Sequence, residues 1–290
     1  MDVTGWVLLR AFCRGLHLAG FFSAFGTMFL SATLLHKRGA LRLRRLAWAG
    51  FAVACLGGAG WFLLQAADFA AAQSISDVIG ALPIVAGQTR FGTLLLTRMG
   101  LLLLAMLLFQ RGWPRSAALI AFGGVVAEAW LGHGGAMTGF VGTMLLFCAV
   151  LHIAAAAIWL GALPALYVAL KRLPEDALLP LAQSFSPLGM ACVGTLLVTA
   201  MFQFILLITY PQALFTTAYG AVALTKLVLF AALIALAVLN RFRFTPSLPA
   251  SRPALLRNIG AEAVLGLAVL LAAGLILQLE PPAMADMAGM

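Results

Sequence analysis

Long apolar runs alternate with short, basic breaks along this chain, and the runs are continuous rather than alternating residue by residue. A helix needs about 20 apolar residues to cross a hydrocarbon core roughly 30 Å thick. Eight stretches have that character: residues 6–35, 46–67, 92–110, 115–132, 141–170, 187–209, 218–240 and 256–279. A membrane β-barrel would show short segments of alternating polarity instead. The pattern therefore predicts an all-α polytopic membrane protein of eight transmembrane helices. The loop at residues 68–91 has room for one short interfacial helix.

Composition agrees. The chain is 63% apolar and 9% charged, with a mean hydropathy of +1.07, whereas a water-soluble domain carries about 25% charged residues. Its surrounding medium is the lipid bilayer. The net charge of +9 does not point to nucleic acid, because the basic residues gather in alternate loops. Lys37, Arg38, Arg42, Arg44 and Arg45 lie between spans 1 and 2, and Arg111 and Arg115 between spans 3 and 4. Lys171 and Arg172 lie between spans 5 and 6, and Arg241, Arg243, Arg252 and Arg257 between spans 7 and 8. Arg90 is the one basic residue in the intervening loops. Positive loops stay in the cytoplasm, so both termini are expected outside. No basic segment precedes the first apolar run, which is therefore read as a retained span rather than a cleaved signal.

The chain repeats itself at a spacing near 135 residues. Phe12-Cys13 and Leu16-His17, with Gly26 beyond, match Phe147-Cys148 and Leu151-His152, with Gly161 beyond. Ala54-Cys55 matches Ala191-Cys192, and Phe91-Gly92 with Arg98 matches Tyr219-Gly220 with Lys226. All four cysteines and two of the four histidines fall into register, and matches among such rare residues are informative. A weaker match relates Glu128 to Glu262. Each half holds an even number of spans, so the halves share one orientation, related by a pseudo-two-fold axis along the membrane normal. The expected units are residues 1–136, residues 137–282 and a Met-rich tail at 283–290.

Candidate chemistry follows from that register. Cys13 and His17 are one helical turn apart, as are Cys148 and His152. If the two helices face each other, two thiols and two imidazoles converge in the membrane, a ligand set suited to Cu(I) first and Zn(II) next. The bland alternative makes the cysteines small packing residues. The histidines are costly at mid-span and mark a pathway or cofactor. His133, between Gly132 and Gly134, offers a ligand at the outer end of span 4. Met284, Met287 and Met290 form a thioether cluster in the tail. His36, beside Lys37, is expected to be solvated. Arg98 and Lys226 are expected to snorkel to the headgroups or to pair with Glu128. Glu262 lies at the depth of Asn240 and Arg241 and reads as a tether. There is no phosphate-cradling loop and no nucleophile–base arrangement, so the chain does not read as an enzyme.

These residues together resemble the copper resistance protein D family of bacterial membrane proteins. The resemblance rests on Gly132-His133-Gly134, then His152 with Trp159-Leu160-Gly161, then Tyr219-Gly220 with Lys226. It continues through Asn240-Arg241 with Arg243, Glu262 and Pro281-Pro282, and is clearest over residues 130–282. It implies an inner-membrane protein of eight spans that takes copper into the cytoplasm or confers copper tolerance, often alongside a small periplasmic copper carrier. His133 and His152 carry over as family histidines. The expectation is Cu(I) import, collected by His133 and the tail methionines and passed to a central site of His17, His152, Cys13 and Cys148. Two alternatives remain at this stage. In one, His17 and His152 hold a b-type haem or serve a quinone redox protein; in the other, the chain binds copper only to deliver it to a partner.

Overall fold

The computed structural model describes residues 3–35, 43–132, 139–208 and 210–283. The described residues are helical and connecting segments only, so the all-α expectation holds. In chain order the helices are α1 (Val3–Thr33), α2 (Arg44–Phe69), α3 (Ile75–Gln88), α4 (Arg90–Gln110) and α5 (Pro114–Ala127). They continue as α6 (Gly139–Arg172), α7 (Glu175–Leu207), the short α8 (Ala213–Thr216), α9 (Ala218–Leu239) and α10 (Arg252–Ile276). Seven of the described helices are long and apolar enough to cross a membrane. The segment expected as the fourth span is a 14-residue α-helix that tightens into a 3₁₀ turn at Glu128–Leu131.

One further boundary differs from expectation. The sixth apolar span was expected from residue 187, yet α7 begins at Glu175 and carries Pro180 and Pro187 inside it. Its first turn holds Glu175 and Asp176, which lower the local hydropathy but complement the positive end of the helix dipole. Prolines inside membrane helices are tolerated because neighbouring groups take up the freed carbonyls. The expected interfacial helix is α3, opened by a capping box in which the Ser74 hydroxyl and Asp77 carboxylate each serve the other's backbone N–H.

The core is centred on α1 and α6. Helix α1 packs against α2, α5, α6 and α10, and α6 against α7, α1 and α10. The two central helices cross at the glycines that the repeat aligns: a Cβ on Gly26 would collide with the Gly161 carbonyl, and one on Gly161 with Phe22 O. Only a bare backbone allows this approach, a familiar device between helices in lipid. Helix α1 also lies close on α2, where side chains at Gly20 and Gly57 would strike backbone atoms of the facing helix.

The start of α4 and the start of α9 are built alike. Thr89 Oγ1 accepts from Gly92 N at 3.0 Å and donates to Val85 O at 2.6 Å. Thr217 Oγ1 accepts from Gly220 N at 3.0 Å and donates to Ala213 O at 2.7 Å. In both places the glycine presses on the carbonyl that the threonine bonds. An N-cap threonine satisfies orphan donors of a first turn, and here it also ties the turn to the short helix before it.

Candidate functional site

Four side chains that water would ordinarily hold are sealed among α1, α2, α4 and α5. Arg14 is 4% exposed, Glu128 3%, and His17 and Arg98 are not exposed at all. Arg14 and His17 lie three residues apart on α1 and so share a face. Arg14 Nη2 donates to Glu128 Oε1 at 2.8 Å and to Leu131 O at 3.2 Å. Arg98 pairs with the other carboxylate oxygen of Glu128, and its Nε donates to Gly124 O at 2.8 Å. The arginine planes rest on aromatic faces: Arg14 Cζ is 4.5 Å from the Trp61 ring centre and Arg98 Cζ 4.8 Å from that of Phe21. Such contacts recover part of the desolvation cost of a buried guanidinium.

His17 completes this cluster, and its partners fix its protonation. Its Nδ1 lies 2.9 Å from Ala54 O and its Nε2 3.1 Å from Arg98 Nη1. A carbonyl only accepts and a guanidinium only donates. The imidazole is therefore neutral, with the proton on Nδ1 and the lone pair of Nε2 already engaged. The bare face of α2 makes this position possible, since a Cβ on Gly58 would sit 2.9 Å from His17 Nδ1. Two arginines against one glutamate leave the cluster with one positive charge, an unfavourable surrounding for an incoming cation.

The equivalent histidine of the second half is arranged differently. His152 Nδ1 lies 2.9 Å from Thr199 Oγ1 on α7, and that hydroxyl donates to Thr195 O at 2.7 Å. With its proton committed to the carbonyl, the threonine oxygen accepts from His152, so the imidazole again carries its proton on Nδ1. Here Nε2 has no hydrogen-bond partner among the described residues. Lys226, the repeat counterpart of Arg98, is an electrostatic neighbour of His152 and forms no salt bridge among the described residues. Cys148, one turn before His152, is 9% exposed.

The remaining expected residues divide as follows. Cys13 is half-buried with its Sγ over Gly60 of α2, Cys55 is half-buried, and Cys192 is buried. His17 points its nitrogens at α2 and α4 while His152 bonds α7, so the structure does not bring the two imidazoles together. No group of three or more His, Cys, Asp or Glu side chains placed to hold a metal occurs among the described residues. His133, His36, Met284, Met287 and Met290 lie outside the described residues. The expected Arg98–Glu128 pair is present, and Arg98 does not snorkel. The expected tether is present too: Asn240 Nδ2 donates to Glu262 Oε1 at 3.0 Å. Sequence reading missed Arg14 and Thr199. Arg14 was legible as a charge inside a predicted span, one turn from His17; Thr199 had no comparable mark in an apolar run.

A helical membrane protein with a polar histidine on each of two crossing central helices is the class that these features define. Comparison with known families makes it specific. The family model described as "Copper resistance protein D-like, N-terminal domain" matches residues 3–143, and that of "Copper resistance protein D" matches residues 179–276. The chain belongs to the copper resistance protein D family. It is also similar to the Copper transport protein CutJ of Bacillus subtilis (strain 168), 30% identical over 176 residues, or 59% of this chain and 31% of that protein. The chain thus spans about a third of the length of that relative. No solved structure matches.

Proposed function

We propose that this protein carries copper, as Cu(I), inward across a bacterial inner membrane, and that the second half provides its membrane ligand. The observation that carries this reading is His152: a histidine within a span, held by Thr199 so that the unclaimed Nε2 lone pair faces outward from the hydrogen bond. Metal-binding imidazoles are commonly oriented by such a bond at the other nitrogen. Cys148, on the same face one turn away, adds a soft ligand suited to Cu(I). His133 and the thioethers of Met284, Met287 and Met290 collect copper on the outer side, from a small periplasmic carrier or from solution. His17 and Cys13 were expected to share this site. The engagement of both His17 nitrogens, by Ala54 O and by Arg98, favours a structural part for it in the ion cluster of the first half instead.

In this reading α5 and its 3₁₀ turn form a fourth crossing, which makes eight spans with both termini outside. The halves comprise residues 1–136 and 137–282. The matched threonine caps and the Gly26–Gly161 crossing support that division, as do the separate family matches. The haem alternative requires two imidazole nitrogens aimed at one iron, and the engagement of His17 Nε2 by Arg98 favours copper over it.

Anaerobic loading of the purified protein with Cu(I), followed by metal analysis, an absorption spectrum and flux into proteoliposomes, tests this function. Bound copper, no Soret band and saturable uptake that His152→Ala abolishes are the expected results. Copper bound without flux would make the protein a delivery partner, and a Soret band without copper would restore the haem reading.

A further inference from the structure

A second carboxyl is buried at the opposite end of the bundle from the ion cluster, and it has no cation to pair with. Glu262 on α10 is 3% exposed and forms no salt bridge among the described residues. It lines a cavity of about 180 Å³ bounded by α6, α7, α9, α10 and the π-helical turn at Asn240–Phe244. Apart from Glu262, Arg241 is the one charged residue lining that cavity, and its Nη1 is directed to Ser186 Oγ at 2.5 Å. From α6, Tyr167 approaches the neighbouring Gly260; α7 contributes Ser186 and no titratable group to the lining.

The hydrogen bonds around Glu262 have a fixed direction. Asn258 Nδ2 donates to Leu236 O at 2.9 Å, and a carbonyl can only accept, which sets the Asn258 amide. The same nitrogen donates to Asn240 Oδ1 at 2.7 Å. The Asn240 oxygen is thereby occupied, and its NH₂ faces Glu262 Oε1. Glu262 therefore receives one neutral hydrogen bond on one oxygen. Its other oxygen has no hydrogen-bond partner among the described residues, on a side chain that borders the cavity. A carboxylate in that setting is poorly compensated, whereas a protonated carboxyl loses its charge and gains a donor. π-Helical turns such as the one that supplies Asn240 and Arg241 recur at functional sites.

We infer that Glu262 is a proton-exchange site, taking a proton from water at the Arg241 end of the bundle onto the oxygen that borders the cavity and returning it by the same route. The step is a simple association of carboxylate and proton, held on one side by the Asn258–Asn240 ladder. It does not depend on copper being the cargo. Glu128 is its built-in contrast, since two arginines hold both of its oxygens and keep it ionised.

The test is labelling of the folded, full-length protein with dicyclohexylcarbodiimide, which adds to protonated carboxyls in apolar surroundings, followed by peptide mass mapping across pH. The expected result is a modified Glu262 peptide whose yield falls severalfold as pH rises, an unmodified Glu128 peptide, and no label at position 262 in Glu262→Gln. Should that variant not fold, the wild-type pH series alone decides. A Glu262 that stays unmodified at acid pH in the folded protein but reacts once denatured would overturn the inference, and so would labelling that does not change with pH.

Discussion

The histidines on α1 and α6 come from one repeated motif and carry their ring protons on the same nitrogen, yet they have different surroundings. On α1, Arg98 occupies the free nitrogen and Glu128 pairs with both arginines. On α6, the counterpart of Arg98 is the shorter, unbranched Lys226, and His152 keeps its Nε2 lone pair. Arginine presents a rigid fork of five donors, which lets Arg98 serve Glu128, Gly124 and His17 together; lysine is a compact point charge and cannot. The difference teaches that duplication copied the position of a polar side chain while the residue one helix away decided its use. In the first half the polar groups engage one another, although Arg14 Nε and Arg98 Nη2 are buried with no hydrogen-bond partner among the described residues. In the second they remain available.

Breaking the first-half cluster should have the largest effect on stability. Glu128→Gln leaves two buried guanidiniums uncompensated and should cost about 3–5 kcal/mol, read as a large fall in detergent melting temperature. Glu262→Gln, which removes a carboxylate that pairs with no cation, should barely move the same melt. Comparable losses in the two variants would erase the contrast between the carboxyls.

Gly26→Ala places a methyl group against the Gly161 backbone, and overpacking of this kind costs about 1–3 kcal/mol. Gly161→Ala should behave alike, because the crossing is reciprocal. An equally stable Gly26→Ala protein would mean that the central helices do not touch there.

Thr199→Val keeps the shape of the side chain but removes the acceptor that orients His152. Loss of an orienting partner typically lowers metal affinity 10–100-fold, and a competition titration with a Cu(I) chelator would show it. Stability should change little, since hydrogen bonds between membrane helices average about 0.6 kcal/mol. Unchanged affinity would remove Thr199 from the site. The smallest effects belong to the caps: Thr89→Ala and Thr217→Ala should each cost about 1 kcal/mol, and unequal costs would show that the two helix starts are not equivalent.

Much of this was legible in the sequence because the bilayer penalises unpaired charge so heavily. Arg98 and Glu128 sit at matching depths in adjacent predicted spans, which made their pairing one of the readings open beside snorkelling and a Lys226–Glu128 pair, and the structure selects it. Asn240 and Glu262 meet for the same reason. The repeat aligned Gly26 with Gly161, but that α1 and α6 cross there came from the structure. What sequence could not give was rotation about the helix axis. The spacing of Cys13 from His17 and of Cys148 from His152 is compatible with a shared central site. Whether His17 faces α6 or α2 depends on where Gly57 and Gly58 lie opposite it, and they face it directly. The start of α7 was missed because its acidic first turn and prolines resemble a loop, although both fit a helix end that leaves the bilayer. The 3₁₀ turn that closes α5 has no separate mark in an apolar run.

The most direct test compares Cu(I) affinity and stoichiometry in His17→Ala and His152→Ala, each paired with a thermal melt. The account predicts that His152→Ala loses tight copper binding while melting near the wild-type temperature, and that His17→Ala melts earlier but still binds copper with wild-type stoichiometry. Copper lost from His17→Ala, or retained in full by His152→Ala, would contradict the assignment of transport to the second half and of structure to the first.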